Sequence, residues 1–212
     1  MIIDYQNIHI TGAQLFNSGG RIHDSLIDPL RFSSELISKR NSLQEPDRTL
    51  ATLTKILVFR GLPSPIEDPK PYARSLAQRS HWERDRRVQV THRPLKYYYK
   101  RDTMGNKILD AAGRAEIEKK EEKGIDVLCA LAVVREARDE NINLVIVASQ
   151  DTDLIPALNE AIILNGAKIE TCAWFSGNSK WSREIRPDSH QIWNTRLNAT
   201  NFSNSLDSTS YL

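Results

Sequence analysis

The sequence predicts an α/β protein with a mostly parallel central sheet and helices on both faces. Two observations carry this. Short strand-like apolar runs alternate with stretches of helical periodicity along most of the chain, the pattern of successive β–α units. Most glycines and prolines fall between those runs or near the start of a helix, as expected where elements start and stop.

The elements follow in order. Strand one is residues 2–4, an apolar start closed by Asp4. A loop is expected next, with Gly12 and the Ser18-Gly19-Gly20 cluster. A helix begins at Asp28, with Pro29 at its first position, and runs to about Asn41. Strand two is residues 56–59, closed by Gly61 and Pro63. The proline-rich residues 64–71 should be loop, followed by a charged helix over residues 72–87. Strand three is residues 88–91, and residues 95–99 extend it or pair with it. Residues 104–113 form a turn or hairpin tip. A helix over residues 125–138 repeats apolar Val127, Leu128, Leu131 and Val134 at helical spacing. Strand four, residues 144–148, is the most strand-like run of the chain. A helix over residues 152–165 stops at Gly166 and leads into strand five, residues 169–173. The last fifteen residues, 198–212, are rich in Asn, Ser and Thr, and are expected to be a disordered tail to a domain of residues 1–197.

At 212 residues, with 40% hydrophobic and 26% charged residues, the chain can bury a sizeable core without a staple. A net charge of +2 does not by itself argue for nucleic acid. No apolar run approaches the roughly 20 residues that cross a bilayer, and no signal peptide is visible, so a cytoplasmic protein without a membrane partner is expected. Cys129 and Cys172 lack metal-ligand spacing and read as buried thiols.

The placement of aspartates points to function. Asp4 ends strand one, Asp151 and Asp153 follow strand four, and Asp126 opens a helix. Ligands of open parallel sheets bind beyond the carboxyl ends of the strands. Any one of these aspartates could be a helix cap or turn residue. Together they would repel one another unless a cation lay between them. Hard oxygen donors suit Mg²⁺ or Mn²⁺, and phosphodiester hydrolysis is the matching chemistry. Other chemistries lack their signatures. There is no phosphate-cradling glycine loop, no zinc spacing among the five histidines and no serine nucleophile elbow. Asp151-Thr152-Asp153 has the form of a haloacid-dehalogenase pair, but such a pair normally follows the first strand.

A polyanionic substrate needs cations nearby. Residues 79–101 supply Arg86, Arg87, Lys96, Lys100 and Arg101 with Tyr97, Tyr98 and Tyr99 interleaved, a combination suited to RNA. Glu83 and Asp85 partly neutralise this stretch, and tyrosines alternating in a strand also serve as packing residues.

Three motifs in order resemble the NYN domain, a branch of the PIN-like ribonucleases. They are Ile3-Asp4-Tyr5-Gln6-Asn7-Ile8, Lys123-Gly124-Ile125-Asp126-Val127 and Ala148-Ser149-Gln150-Asp151-Thr152-Asp153-Leu154-Ile155-Pro156. The resemblance spans roughly residues 1–175. It implies a Rossmann-like, PIN-like three-layer sandwich that binds Mg²⁺ or Mn²⁺ and cuts RNA, leaving 5′-phosphate and 3′-hydroxyl ends. Carried over by position, Asp4, Asp126, Asp151 and Asp153 are the catalytic metal carboxylates. Asn7 and Ser149 support them, and Lys123 meets a phosphate or an acidic neighbour. The sequence departs from the pattern at Gln150, where a glycine is usual, and at Leu154, where an aromatic is usual. The segment 95–113 lies outside it. Two alternatives stand beside the nuclease: an RNA- or partner-binding module with little activity, and a metal-dependent phosphoesterase acting on small molecules.

Overall fold

A computed structural model describes residues 1–45, 48–177, 179–188 and 190–211. The chain runs β1 (Ile2–Asp4), α1 (Tyr5–Phe16), α2 (Pro29–Ser42), β2 (Ile56–Leu62), α3 (Pro69–Trp82), β3 (Val88–Pro94), β4 (Lys96–Tyr99), β5 (Ile117–Glu121), α4 (Ile125–Ala137), β6 (Leu144–Ala148), α5 (Ile155–Ile163), β7 (Lys168–Trp174), β8 (Asn194–Leu197) and α6 (Ala199–Ser205). Turns of 3-10 helix lie at Ile22–Asp24 and Thr152–Leu154.

Six strands form one parallel sheet in the order β3-β2-β1-β6-β7-β8. The chain builds outward from β1 through β2 to β3. It then returns to the other side of β1 with β6 and builds outward again to β8. The carboxyl ends of β1 and β6 therefore flank the switch point where a crevice opens in such sheets. The architecture is the expected three-layer α/β sandwich with a Rossmann-like sheet.

Side chains alternate across the strands and feed two cores. Leu57, Phe59, Val145 and Val147 face α4 and α5, packing on Ile125, Cys129, Val133 and Leu158. Ile56, Val58, Ile146 and Ala148 face the other way, onto Ile8, Phe32, Leu36, Trp174 and Phe202. Each buried aliphatic or aromatic side chain contributes roughly 1.5–3 kcal/mol relative to exposure. The two thiols are free and buried, and the sheet separates them, with Cys129 in one core and Cys172 in the other. Among the described residues no helix is long and apolar enough to cross a membrane.

Four expectations are corrected. Residues 5–16 are not loop but helix α1, which Asp4 caps by accepting the Asn7 backbone N–H at 3.3 Å. Gly12 is essential to its docking: a Cβ there would meet Phe202 at 2.8 Å and the Trp174 indole nitrogen at 2.9 Å. Helix α3 begins at Pro69 inside the proline-rich stretch, because proline costs nothing in a first helical turn. It ends at Trp82, short of Arg87. Residues 96–99 leave the sheet and pair antiparallel with β5, with Tyr97 opposite Lys120. Two hydroxyls anchor this ribbon: Tyr97 donates to Asp68 at 2.7 Å and Tyr99 to Glu67 at 2.8 Å.

The tail is not disordered over its described residues. After β8, Asn198 and Asn201 form a capping box that starts α6. Phe202 then enters the aromatic cluster, with its ring centroid 5.4 Å from Phe16 and 5.5 Å from Trp174. Asp207 accepts from the Trp82 indole at 2.8 Å and from the Tyr211 hydroxyl at 2.7 Å. The Asn and Ser content that reads as disorder serves as capping here. Leu212 lies outside the described residues.

Candidate active site

The site is built at the switch point. β1 is three residues long, so the chain turns into α1 directly at Asp4. The Asp4 carboxylate is buried and accepts a hydrogen bond from the Ser149 hydroxyl at 3.0 Å. Ser149 follows the last residue of β6, and its oxygen also accepts the Asp151 backbone N–H at 3.1 Å. Asn7 completes the clasp by accepting the Gln150 backbone N–H at 2.8 Å. Asn7 and Ser149 thus tie the head of α1 to the end of β6. Gln150 fits the turn without displacing either partner.

Asp126 arrives from the other side of the crevice, in the first turn of α4. Gly124 precedes that helix at φ +73°, in the left-handed region where a side chain is strained. A Cβ there would also press on the Arg93 guanidinium at 3.2 Å. Lys123 is exposed at the rim and pairs with Glu121 at 3.0 Å. Asp4, Asp126 and Asp151 line one cavity of about 500 Å³, with Asn7, Lys123, Gln6, Glu122 and Trp181 around them.

Asp153 stands apart. It does not line the cavity, and its side chain is exposed on the 3-10 turn. Its backbone N–H donates to Asp151 at 3.0 Å, so Asp151 both faces the cavity and caps this turn. Three of the four expected carboxylates come together and the fourth does not.

Glu122 also lines the cavity, and it was not among the residues expected from the sequence. Its carboxylate accepts the Gly61 backbone N–H at the end of β2. With its amide nitrogen turned inward, Gln6 donates to Glu122 at 2.9 Å. A Cβ on Gly61 would lie 2.7 Å from the Glu122 carboxylate, so the close approach requires glycine. The available signal was weak: Glu122 ends the run Glu116-Ile117-Glu118-Lys119-Lys120-Glu121, where it looks like one more solvated charge.

The acids perturb one another. Burial pushes the Asp4 carboxyl up to about 6, assisted by the charges of Asp151 and Asp126 and opposed by the Ser149 and Asn7 hydrogen bonds. Burial likewise pushes Glu122 up to about 7, with Asp4 adding to the rise and Gly61 and Arg60 opposing it. Such a cluster is stabilised by a divalent cation, and every donor is the hard oxygen that Mg²⁺ or Mn²⁺ prefers. The donor chemistry therefore fits the ion. Among the described residues, however, no three carboxylate, histidine or cysteine side chains are drawn into a closed coordination set. Asp4 and Glu122 hold protein hydrogen bonds instead.

The basic residues divide between the two ends of the sheet. Arg86 and Arg87 lie in the turn that enters β3, at the amino edge, whereas the acids lie at the carboxyl edge. Arg87 is also held by Asp85 at 2.8 Å. Lys96, Lys100 and Arg101 follow the carboxyl end of β3, on the side of the site. Lys100 pairs with Glu116 at 2.8 Å. Lys96 lies over the Tyr98 ring at 5.1 Å, and Arg101 donates to the Gly105 carbonyl at 2.6 Å.

No family model matches this chain, and no curated protein or solved structure matches it either.

Proposed function

We propose that this chain is a metal-dependent ribonuclease of the NYN, PIN-like type, hydrolysing RNA phosphodiester bonds at the carboxyl edge of its sheet. The observation that carries the reading is the meeting of Asp4, Asp126 and Asp151 in one cavity, delivered by three separate segments of the chain. Capping accounts for Asp4 and Asp151 at one edge of the sheet, but not for Asp126 lining the same cavity from the first turn of α4. Asp4, Asp126, Asp151 and Glu122 would hold Mg²⁺ or Mn²⁺. The bound ion would make water a competent nucleophile near neutral pH and offset charge on the phosphate.

The chain's own groups do the rest. Ser149 and Asn7 fix Asp4 and the Asp151 turn in position, so that little reorganisation is needed during reaction. Lys123 stands at the rim, where it can meet a non-bridging phosphate oxygen. Burial raises the Asp4 and Glu122 carboxyls to about 6 and about 7, so binding a cation there would displace protons and should strengthen as pH rises. A cytoplasmic setting suits the two unpaired thiols.

The test is cleavage of a labelled single-stranded RNA in millimolar Mn²⁺ and in chelator, with Asp151→Asn alongside. Cleavage should require the metal and fall at least ~100-fold in the variant, the scale of losing one key electrostatic group. Tight RNA binding without metal-dependent cleavage would instead identify a binding module. Cleavage of small phosphoesters alone would identify a phosphoesterase.

A further inference from the structure

Trp181 is an indole with no core to fill. It is 42% exposed, yet it lines the same cavity as Asp4, Asp126 and Asp151. It sits in the segment following β7, on a turn tied by its own hydrogen bonds. The Ser182 hydroxyl accepts the Ser176 backbone N–H at 2.8 Å, and the Ser182 backbone N–H donates to the Ser179 carbonyl at 2.9 Å. The turn therefore presents the ring at the rim of the site.

Two cations accompany it. Lys180 Nζ lies 5.3 Å from the Trp181 ring centroid. Arg183 Nε donates to the Lys180 carbonyl at 3.1 Å. Among the described residues neither cation meets a carboxylate, whereas Arg186 and Arg196 are both bound to Glu184. Other aromatics serve the substrate less well. Tyr97 and Tyr99 are hydrogen-bonded to the loop beside them. Trp193 is 39% exposed but does not line the cavity.

Resting on the ribonuclease reading, we propose that Trp181 stacks the unpaired nucleobase next to the phosphodiester held at the acids, while Lys180 and Arg183 meet the flanking phosphates. An acidic cavity repels a polyanion, so affinity has to come from contacts beside the reacting phosphate. Base stacking on an aromatic ring supplies this without regard to sequence. A base within a duplex has both faces covered, so the substrate is single-stranded RNA.

The test uses the full chain in Ca²⁺, which occupies oxygen sites while supporting little hydrolysis. Binding of a fluorescent single-stranded oligoribonucleotide, of the same RNA as a duplex, and of inorganic polyphosphate is measured for wild type, Trp181→Ala, Trp181→Phe and the double variant Lys180→Ala/Arg183→Ala. Trp181→Ala should weaken single-strand binding by ~10-fold or more and leave polyphosphate binding unchanged. Trp181→Phe should retain most of the single-strand affinity. The double variant should weaken both ligands and flatten the salt dependence. RNA should quench indole emission in wild type, and less so in Trp181→Phe. Equal single-strand affinity in Trp181→Ala and wild type would overturn the proposal, as would an equal loss on polyphosphate or tighter binding of the duplex. If wild type cuts RNA with Mn²⁺ while Trp181→Ala binds and cuts normally, the stacking role fails and the nuclease reading stands. If wild type neither binds nor cuts RNA, both fail.

Discussion

Replacing Asp4 by Asn isolates the charge that the fold buries at the head of the site. Asparagine is an equally good helix cap, so α1 keeps its start. The Asp4 carboxyl titrates at about 6 in the fold against an ordinary 3.8, because burial and neighbouring acids disfavour its charge. The folded state therefore holds this proton more tightly than the unfolded chain. That contribution is fully present below about pH 4 and is lost as pH rises through about 6. The difference corresponds to about 3 kcal/mol of stability missing from the wild type at pH 8. Asparagine never ionises and escapes that loss. It must, however, re-form the Ser149 hydrogen bond with a donor in place of an acceptor, at a cost of about 1 kcal/mol. The variant should be more stable than wild type by about 2 kcal/mol at pH 8 in chelator, a melting shift of roughly 4–8 °C. At pH 4 it should be equal or slightly less stable. Removing the Asp4 charge also lowers the Glu122 carboxyl, which acts in the same direction. Millimolar Mn²⁺ should reverse the order at pH 8: at ~100 times its dissociation constant the ion adds roughly 2.7 kcal/mol to a protein whose ligands are intact. The assay is thermal unfolding of both proteins at the two pH values, in chelator and in Mn²⁺. A stability difference that does not change with pH would refute the argument that Asp4 is held at an energetic cost.

Three further outcomes are expected. Asp126→Asn should abolish most Mn²⁺-dependent cleavage, whereas Asp153→Asn should retain it within a few-fold, because Asp153 does not face the cavity; rate measurements under single-turnover conditions separate them. Lys96→Ala with Arg101→Ala should reduce the logarithmic salt slope of single-strand binding by up to about 0.7 per residue. Arg86→Ala with Arg87→Ala should leave the slope unchanged, since they lie at the opposite edge of the sheet. Phe202→Ala should destabilise the whole domain by roughly 3–5 kcal/mol in denaturant titration, the cost of emptying an aromatic site in a packed core. A disordered tail would show no effect.

The buried strands were legible because their apolar runs are continuous and end at glycine, proline or aspartate. Residues 56–59 and 144–148 appear in place within longer or identical strands. Helix α1 was hidden. It starts without a linker and carries Asn7, Thr11 and Gly12, weak helix formers that tertiary packing overrides. Helix α6 was hidden because one phenylalanine, Phe202, accounts for most of its apolar burial. Within the site, Asp4, Asp126 and Asp151 were readable from their places at strand and helix ends. Asp153 was not separable from Asp151, since which of two carboxylates faces a crevice is decided by the turn between them. Glu122 depends on the Gly61 contact from a distant strand. Arg86 and Arg87 precede β3 and so lie at the edge of the parallel sheet opposite Asp4, which ends β1, and Asp151, which follows β6.

The clasp between Asp4 and Ser149 joins positions 145 residues apart in the chain. β1 sits at the centre of the sheet, with β2 on one side and the late strand β6 on the other. A nascent chain can pair β1 with β2 and β3 early, but the second wall of the crevice is still inside the ribosome. Closing so long a loop is also slow relative to local structure. The acids at residues 4 and 126 therefore gain their third partner only after the sheet has been completed from both directions. A chain that stops before β6 lacks the second wall of the crevice. The crevice at the centre of the sheet is thus closed only once β6 has been made and has paired beside β1.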